Sequence, residues 1–307
     1  MSFHILKDKM KGKMNHGLKW TFKNKIDPRK FKRSKLFGAN IEVSAIPDFD
    51  LAPTLTIKNQ LDSSMCTAFA NTGISSIQEG TELSPEYAFQ KTRALMGSPH
   101  SWGANPDDAM KAHIKFGCIE EKDSPFHLET DGQYKIEDYA NWDKSLDVVA
   151  SLHRKRAYLE ADGYKDAFDS IRAIMYESYQ KFQQTLNLSD LRAVSVGFNW
   201  SFQDAPQGIV NNVESESAQH NVFARGQKTI NGIPYIIIQN SYGDGVGDKG
   251  LYYFPREILN QNILFARVFE DMDPNEIKKQ WNILARIFDL MMSLLALMKK
   301  QYGKFSH

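Results

Sequence analysis

The 307-residue chain predicts an α+β fold of two lobes, a helical lobe followed by an antiparallel β-rich one, with an amphipathic helix at its C-terminal end. Three observations lead there. Apolar residues recur at helical spacing through the first half of the body, short β-branched and aromatic runs replace them in the second half, and Gly, Asn and Pro punctuate both. The composition, 42% hydrophobic and 24% charged, is that of an ordinary globular protein with enough chain to bury a sizeable core. Three regions follow: a basic arm over residues 1–43, a body over 44–272 with a helical insertion at about 127–190, and the terminal helix over 273–307.

Residues 1–35 carry twelve Lys or Arg against Asp8 and Asp27, a balance of +10, so the rest of a chain whose total is +1 stands at −9. Such an arm either lies solvated on its own acidic body or seeks an anionic partner, and no nucleic-acid motif accompanies it. It has no apolar run of a secretory signal, and two cysteines make no disulfide framework; the expectation is a cytoplasmic protein. In the body, Asp62-Ser63-Ser64 offer N-caps for a helix whose apolar or small face is Cys66, Phe69, Ala70, Gly73, Ile74 and Ile77, closed by Gly80. Ser84-Pro85 and Asn105-Pro106 each pair a cap residue with Pro at the first helical position, and Gly97 and Gly117 end these helices. Residues 142–186 read as one or two long charged helices. The strands then follow as Ala193–Phe198, Asn221–Ala224, Tyr235–Gln239, Leu251–Phe254 and Leu264–Phe269.

In the terminal region Ile277, Trp281, Leu284, Phe288, Met291, Leu295 and Met298 alternate four-three spacings, the seam of a coiled coil, and further apolar residues widen that face. Its uncharged stretch Leu290–Met298 is too short to span a bilayer. The first expectation is packing on the body or self-association; the second is membrane-surface contact, a peripheral attachment.

A thiol attacks well only as the thiolate, which a helix N-terminus or a neighbouring imidazolium favours, bringing thiol pKa values to roughly 3.5–7.5. Cys66 stands at a predicted helix start, whereas Cys118 follows a helix C-terminus, where the dipole has the wrong sign. Cys66 is therefore the candidate nucleophile.

The segment Asn59-Gln60-Leu61-Asp62-Ser63-Ser64-Met65-Cys66-Thr67-Ala68-Phe69-Ala70 resembles the nucleophile segment of the papain family of cysteine peptidases, in which a Gln stands six residues before the Cys that opens the central helix. Ile46–Leu51, Leu83–Tyr87 and Asp107–Gly117 resemble the start of that family's mature domain and its left-lobe helices. Gln219-His220-Asn221-Val222, then Ile238-Gln239-Asn240-Ser241-Tyr242-Gly243, then Gly247–Tyr252 are similar to its His-bearing strand, its Asn-Ser-Trp-Gly segment and the glycine-rich turn beyond. His220 and Asn240 lie 154 and 174 residues after Cys66, beyond the usual separation of about 130–150, and the helical insertion accounts for the excess.

The resemblance implies a papain-like fold and a cysteine-type peptidase working through a thioester on peptide or protein substrates. His220 takes and returns the thiol proton, Asn240 orients the imidazole, and the Gln60 amide with the Cys66 N–H forms the oxyanion hole. Tyr242 stands where the family usually has Trp and shields the His–Asn bond. Ser64-Met65 in place of Gly-Ser, Gln219 in place of a small residue, and a single glycine in Trp102-Gly103-Ala104 depart from the pattern. They motivate the alternative, a catalytically impaired papain-fold protein that binds or assembles. A transglutaminase-like reading fits the Asn-Ser-Tyr-Gly segment less well. No cofactor or metal is implied: Gly245–Gly250 spells G-x-G-x-x-G but precedes a predicted strand rather than a helix, and Cys66 and Cys118 lack zinc-ligand spacing.

Overall fold

The structure is a computed structural model that describes residues 30–32, 41–98, 101–123, 145–199, 205–212, 219–271 and 290–294. Three helices form as expected: α1 over Cys66–Glu79, α2 over Pro85–Leu95 and α3 over Pro106–Lys115. The Ser84 hydroxyl accepts from Tyr87 N at the start of α2, and Asn105 Oδ1 accepts from Asp107 N and Asp108 N at the start of α3. Gly80, at φ 68°, supplies the left-handed residue that ends α1. The start of α1 differs from expectation. Its N-cap residue is Met65, whose side chain cannot cap, while the Ser63 hydroxyl turns back to donate to Gln60 O. No side-chain cap therefore covers the helix terminus that carries Cys66.

Among the described residues eight strands build one sheet: β1 Lys30–Lys32, β2 Phe49–Asp50, β3 Lys155–Glu160, β4 Val194–Asn199, β5 Gln219–Ile230, β6 Ile233–Gln239, β7 Leu251–Pro255 and β8 Ile263–Asp271. Their order is β1-β3-β8-β4-β5-β6-β7, with β2 pairing β5; every pairing is antiparallel except β1 on β3. All five predicted strands are present, several of them longer than the apolar runs that announced them.

The segment 142–186 is not the run of helices expected. It contains α4 Ser145–Ala150, the strand β3 and α5 Ala167–Thr185. Lys155 and Glu160 made β3 look like a solvated helix. In the fold Tyr158 and Leu159 enter the main core, and Lys155 is buried by ion pairs to Glu79 and Asp271. Residues 155–190 thus give β3 to the sheet and α5 to the packing beside it. Residues 127–144, the basic arm apart from Lys30–Lys32 and 41–43, and the terminal helix apart from 290–294, which are helical, lie outside the described residues. No helix among the described residues is long and apolar enough to cross a membrane.

Two apolar cores divide the body. Met65, Ala68, Phe69, Leu83, Tyr87, Phe89, Cys118 and Ile119 fill the helical side, while Ile74, Ile77, Val194, Val196, Val222, Ile236, Ile238 and Phe254 belong to the core of the sheet side. Helix α1 contributes to both. Cys66 belongs to neither and packs with Phe265 in a small cluster of its own.

Candidate active site

Registers along the sheet decide which end of α1 meets which strand. Phe265 packs with Cys66 at the start of α1, and Asp271 is tied through Lys155 to Glu79 at its end. Thirteen helical residues rise about 19.5 Å and six strand residues about 20 Å, so α1 and β8 run parallel and in step. Both β8 and β5 are antiparallel to β4, so β5 runs the same way. Gly73 marks where α1 touches β5: a Cβ there would stand 2.4 Å from the Phe223 ring, so only glycine permits the approach. From that contact, seven residues back along the helix reach Cys66, about 10.5 Å away. Three residues back along the strand reach His220, about 10 Å away. The same end of the seam therefore carries thiol and imidazole. The cross-strand registers agree, because Phe198 lies opposite both His220 and Ile263, and Gly197 opposite Phe265.

The imidazole is held from two sides. His220 Nε2 lies 2.8 Å from Asn240 Oδ1, and the Ser241 backbone N–H donates to that same oxygen at 2.8 Å. Because the Ser241 N–H can only donate, the atom it meets is the amide oxygen, an acceptor; the Nε2 that shares it therefore carries the ring proton and Nδ1 is the basic nitrogen. Tyr242 lies flat on the ring, with centroids 5.0 Å apart and planes 8° apart. Burial, then the charge a Cys66 thiolate would carry, then Tyr252, push the Tyr242 phenol well above its ordinary value and keep it neutral. That Cys66 acts on a ring stacked over His220 fits the register.

Gln60 joins the same cluster. Its backbone N–H donates to Ser241 O at 2.7 Å, its Oε1 accepts from the Ser241 hydroxyl at 2.5 Å, and its Nε2 donates to Ser63 O at 2.8 Å. One of the two amide hydrogens is thereby committed to Ser63. Gly243 N donates to Lys58 O, and Asn59 bridges to Tyr242, so the strand-borne Asn-Ser-Tyr-Gly segment and the loop before α1 are laced by backbone. Gln60, Cys66, His220 and Asn240 are all buried, with Cys66 at 0% and His220 at 1% exposure.

Sequence reasoning quoted Ser241 without giving it a role; the structure makes it the link between Gln60 and Asn240. Cys118 is buried in the helical core, its Sγ donating to Ser84 O, and burial pushes its thiol up to about 12. The strand β7 follows Gly245–Gly250, so no helix N-terminus is offered to a pyrophosphate. Among the described residues no group of three or more His, Cys, Asp or Glu could hold a metal ion.

The family model described as papain family cysteine protease matches residues 52–265. The chain belongs to the papain family of cysteine proteases. Solved structures of this fold align over most of its length. Xylellain, a cysteine protease from Xylella fastidiosa, is 18% identical with a TM-score of 0.65 over 85% of this chain and 97% of its own. The proCathepsin B S9 of Trypanosoma congolense is 14% identical at TM-score 0.57, covering 84% and 87%. The Carica candamarcensis protease CMS1MS2, solved in complex with E-64, is 17% identical at TM-score 0.52, covering 74% and 100%. No curated protein matches the chain. This papain-family member is an α+β cysteine-type peptidase built of helices and a largely antiparallel sheet.

Proposed function

We propose that this peptidase cleaves peptide bonds through a thioester on Cys66, with His220 as base and acid and Asn240 as the group that orients it. The observation carrying the reading is the 2.8 Å His220–Asn240 bond beneath Tyr242, at the end of the α1–β5 seam where Cys66 opens the helix. The uncapped terminus of α1 favours the thiolate, and an imidazolium beside it adds to that effect. His220 Nδ1 takes the thiol proton and returns it to the leaving amine, while Asn240 keeps the ring turned. The tetrahedral oxyanion receives the Cys66 N–H and the Gln60 amide hydrogen not committed to Ser63. Water then hydrolyses the thioester.

One observation favours the alternative of an impaired papain-fold binding protein: the thiol has no exposed surface, so a substrate carbonyl reaches it only after an opening step. Exposure to E-64, with the adduct mapped by mass spectrometry, separates the two readings. Peptidase chemistry gives a single adduct at Cys66 and its loss in Cys66→Ala, with turnover also lost in His220→Ala while folding persists. A folded, reduced protein that takes up no E-64 at Cys66 supports the binding role instead.

A further inference from the structure

Helix α1 buries polar side chains on a face that the proposed chemistry does not use. At about 100° per residue, Thr67, Asn71, Ser75 and Gln78 fall within an arc of about 80°, centred roughly 150° away from the Cys66–Gly73 face. All four are at most 5% exposed. The stripe faces α3 and β8. Ser75 Oγ shares a hydrogen bond with His113 Nδ1, and Gln78 Nε2 donates to Leu191 O and Phe269 O. Level with Asn71, by the step of α1 against β8, comes Arg267, fully buried and ion-paired with Asp107.

Thr67 Oγ1, Asn71 Oδ1, Gln78 Oε1 and His113 Nε2 are buried along this stripe with no protein hydrogen-bond partner. Native interiors leave few such atoms, because each forfeits the hydrogen bonds it would make in water. Neighbours at i and i+4 stand about 5–6 Å apart at Cβ, and a water bonding to both at about 2.8 Å each spans that gap. Internal waters occur at polar sites with room for them and two to four partners; Thr67 and Asn71 offer one such pair, and Gln78 offers another acceptor about 10.5 Å further along the helix.

We propose that the seam between α1, α3 and β8 is a binding site for a row of internal waters, held by Thr67, Asn71, Gln78 and His113. The row starts one residue from Cys66 and anchors the turn that presents the nucleophile. His113 fits it as a neutral ring, since burial, then the charge of Lys155, hold its pKa down to about 3; a neutral imidazole offers water one donor and one acceptor.

The test uses the wild-type chain and two near-isosteric variants, Thr67→Val and Asn71→Leu. A crystal structure that orders internal water is expected to place waters on Thr67 Oγ1 and Asn71 Oδ1, and oxygen-17 relaxation dispersion in solution to count fewer long-lived waters in each variant. Each Tm is expected to fall by about 2–4 °C, the shift for one net hydrogen bond in a chain of this size. The double variant should fall by less than the sum, because one shared water is lost once. Direct protein donors on both oxygens in wild-type crystals overturn the proposal, as does an unchanged or raised Tm in Thr67→Val, the result for a dry seam relieved of an unbonded hydroxyl.

Discussion

Gly73→Ala probes the step that brings thiol and imidazole together without touching either. An alanine Cβ at this position would lie 2.4 Å from Phe223 Cε1 and 2.9 Å from Cζ, against an ordinary contact of 3.4–4 Å. The ring cannot swing into solvent, since Phe223 is itself in the sheet core. Either the ring shifts into the small cavity that it lines together with Gly73, or helix and strand part by about 1 Å or more. Overpacking of this kind costs about 1–3 kcal/mol, a fall in Tm of about 2–12 °C. Because Cys66 and His220 sit on opposite sides of the widened seam, a displacement near 1 Å should lower kcat by about 10²-fold, with KM changed far less. Thermal unfolding and steady-state turnover of a fluorogenic peptide measure both effects, and Phe223→Leu in the Gly73→Ala background should recover part of each by restoring room. A Gly73→Ala protein with wild-type kcat would refute the view that this contact sets the geometry of the site.

Asn240→Ala removes the acceptor that orients His220 and should lower kcat/KM by about 10²-fold, with pH-rate profiles showing whether the surviving activity still follows one imidazole. Ser241→Ala deletes the bond to Gln60 Oε1, worth about 1 kcal/mol, and should reduce kcat/KM roughly 5- to 10-fold while E-64 still labels Cys66. Cys118→Ala should label and turn over as wild type, because the Cys118 thiol, held near 12, plays no part. Lys155→Met takes from Glu79 and Asp271 the cation they share and should destabilise by about 3–5 kcal/mol, read by denaturant unfolding. Burial raises the Glu79 pKa, but the hydrogen bond to His153 and the Lys155 charge outweigh it and leave it below 4.5. A lowered folded pKa gives stability that is present above 4.5 and is lost as pH falls through the folded value, so acid unfolding of wild type should show a step in that window that is smaller in Lys155→Met, which keeps only the His153 bond to Glu79.

Local chemistry made much of the fold legible. Ser84-Pro85 and Asn105-Pro106 declare helix starts because cap and Pro satisfy the same orphan backbone groups in any context. The strands after residue 190 declare themselves by β-branched runs between glycines. Strand β3 stayed hidden because Lys155 and Glu160 bracket it with charge; Lys155 is buried only because Glu79 and Asp271, 76 and 116 residues away, neutralise it. Ser63 and Ser64 read as caps, yet the loop before Cys66 is shaped by Ser241, whose link to Gln60 spans 181 residues. Gln60, Cys66, His220 and Asn240 stood out as candidates because the segments that carry them resemble those of the papain family. That Asn240 Oδ1, which accepts from its neighbour Ser241 N–H, also meets His220 Nε2 and so fixes the imidazole tautomer belongs to tertiary structure.

Alkylation of Cys66 by iodoacetamide as a function of pH tests the thiolate–imidazole pair most directly. With the sulfur at the front of α1 and His220 at the matching end of β5, labelling should rise at a pH well below that of an ordinary thiol, about 8.5, and His220→Ala should move the rise back toward that value. A single rise at the ordinary value in both proteins would contradict the pairing.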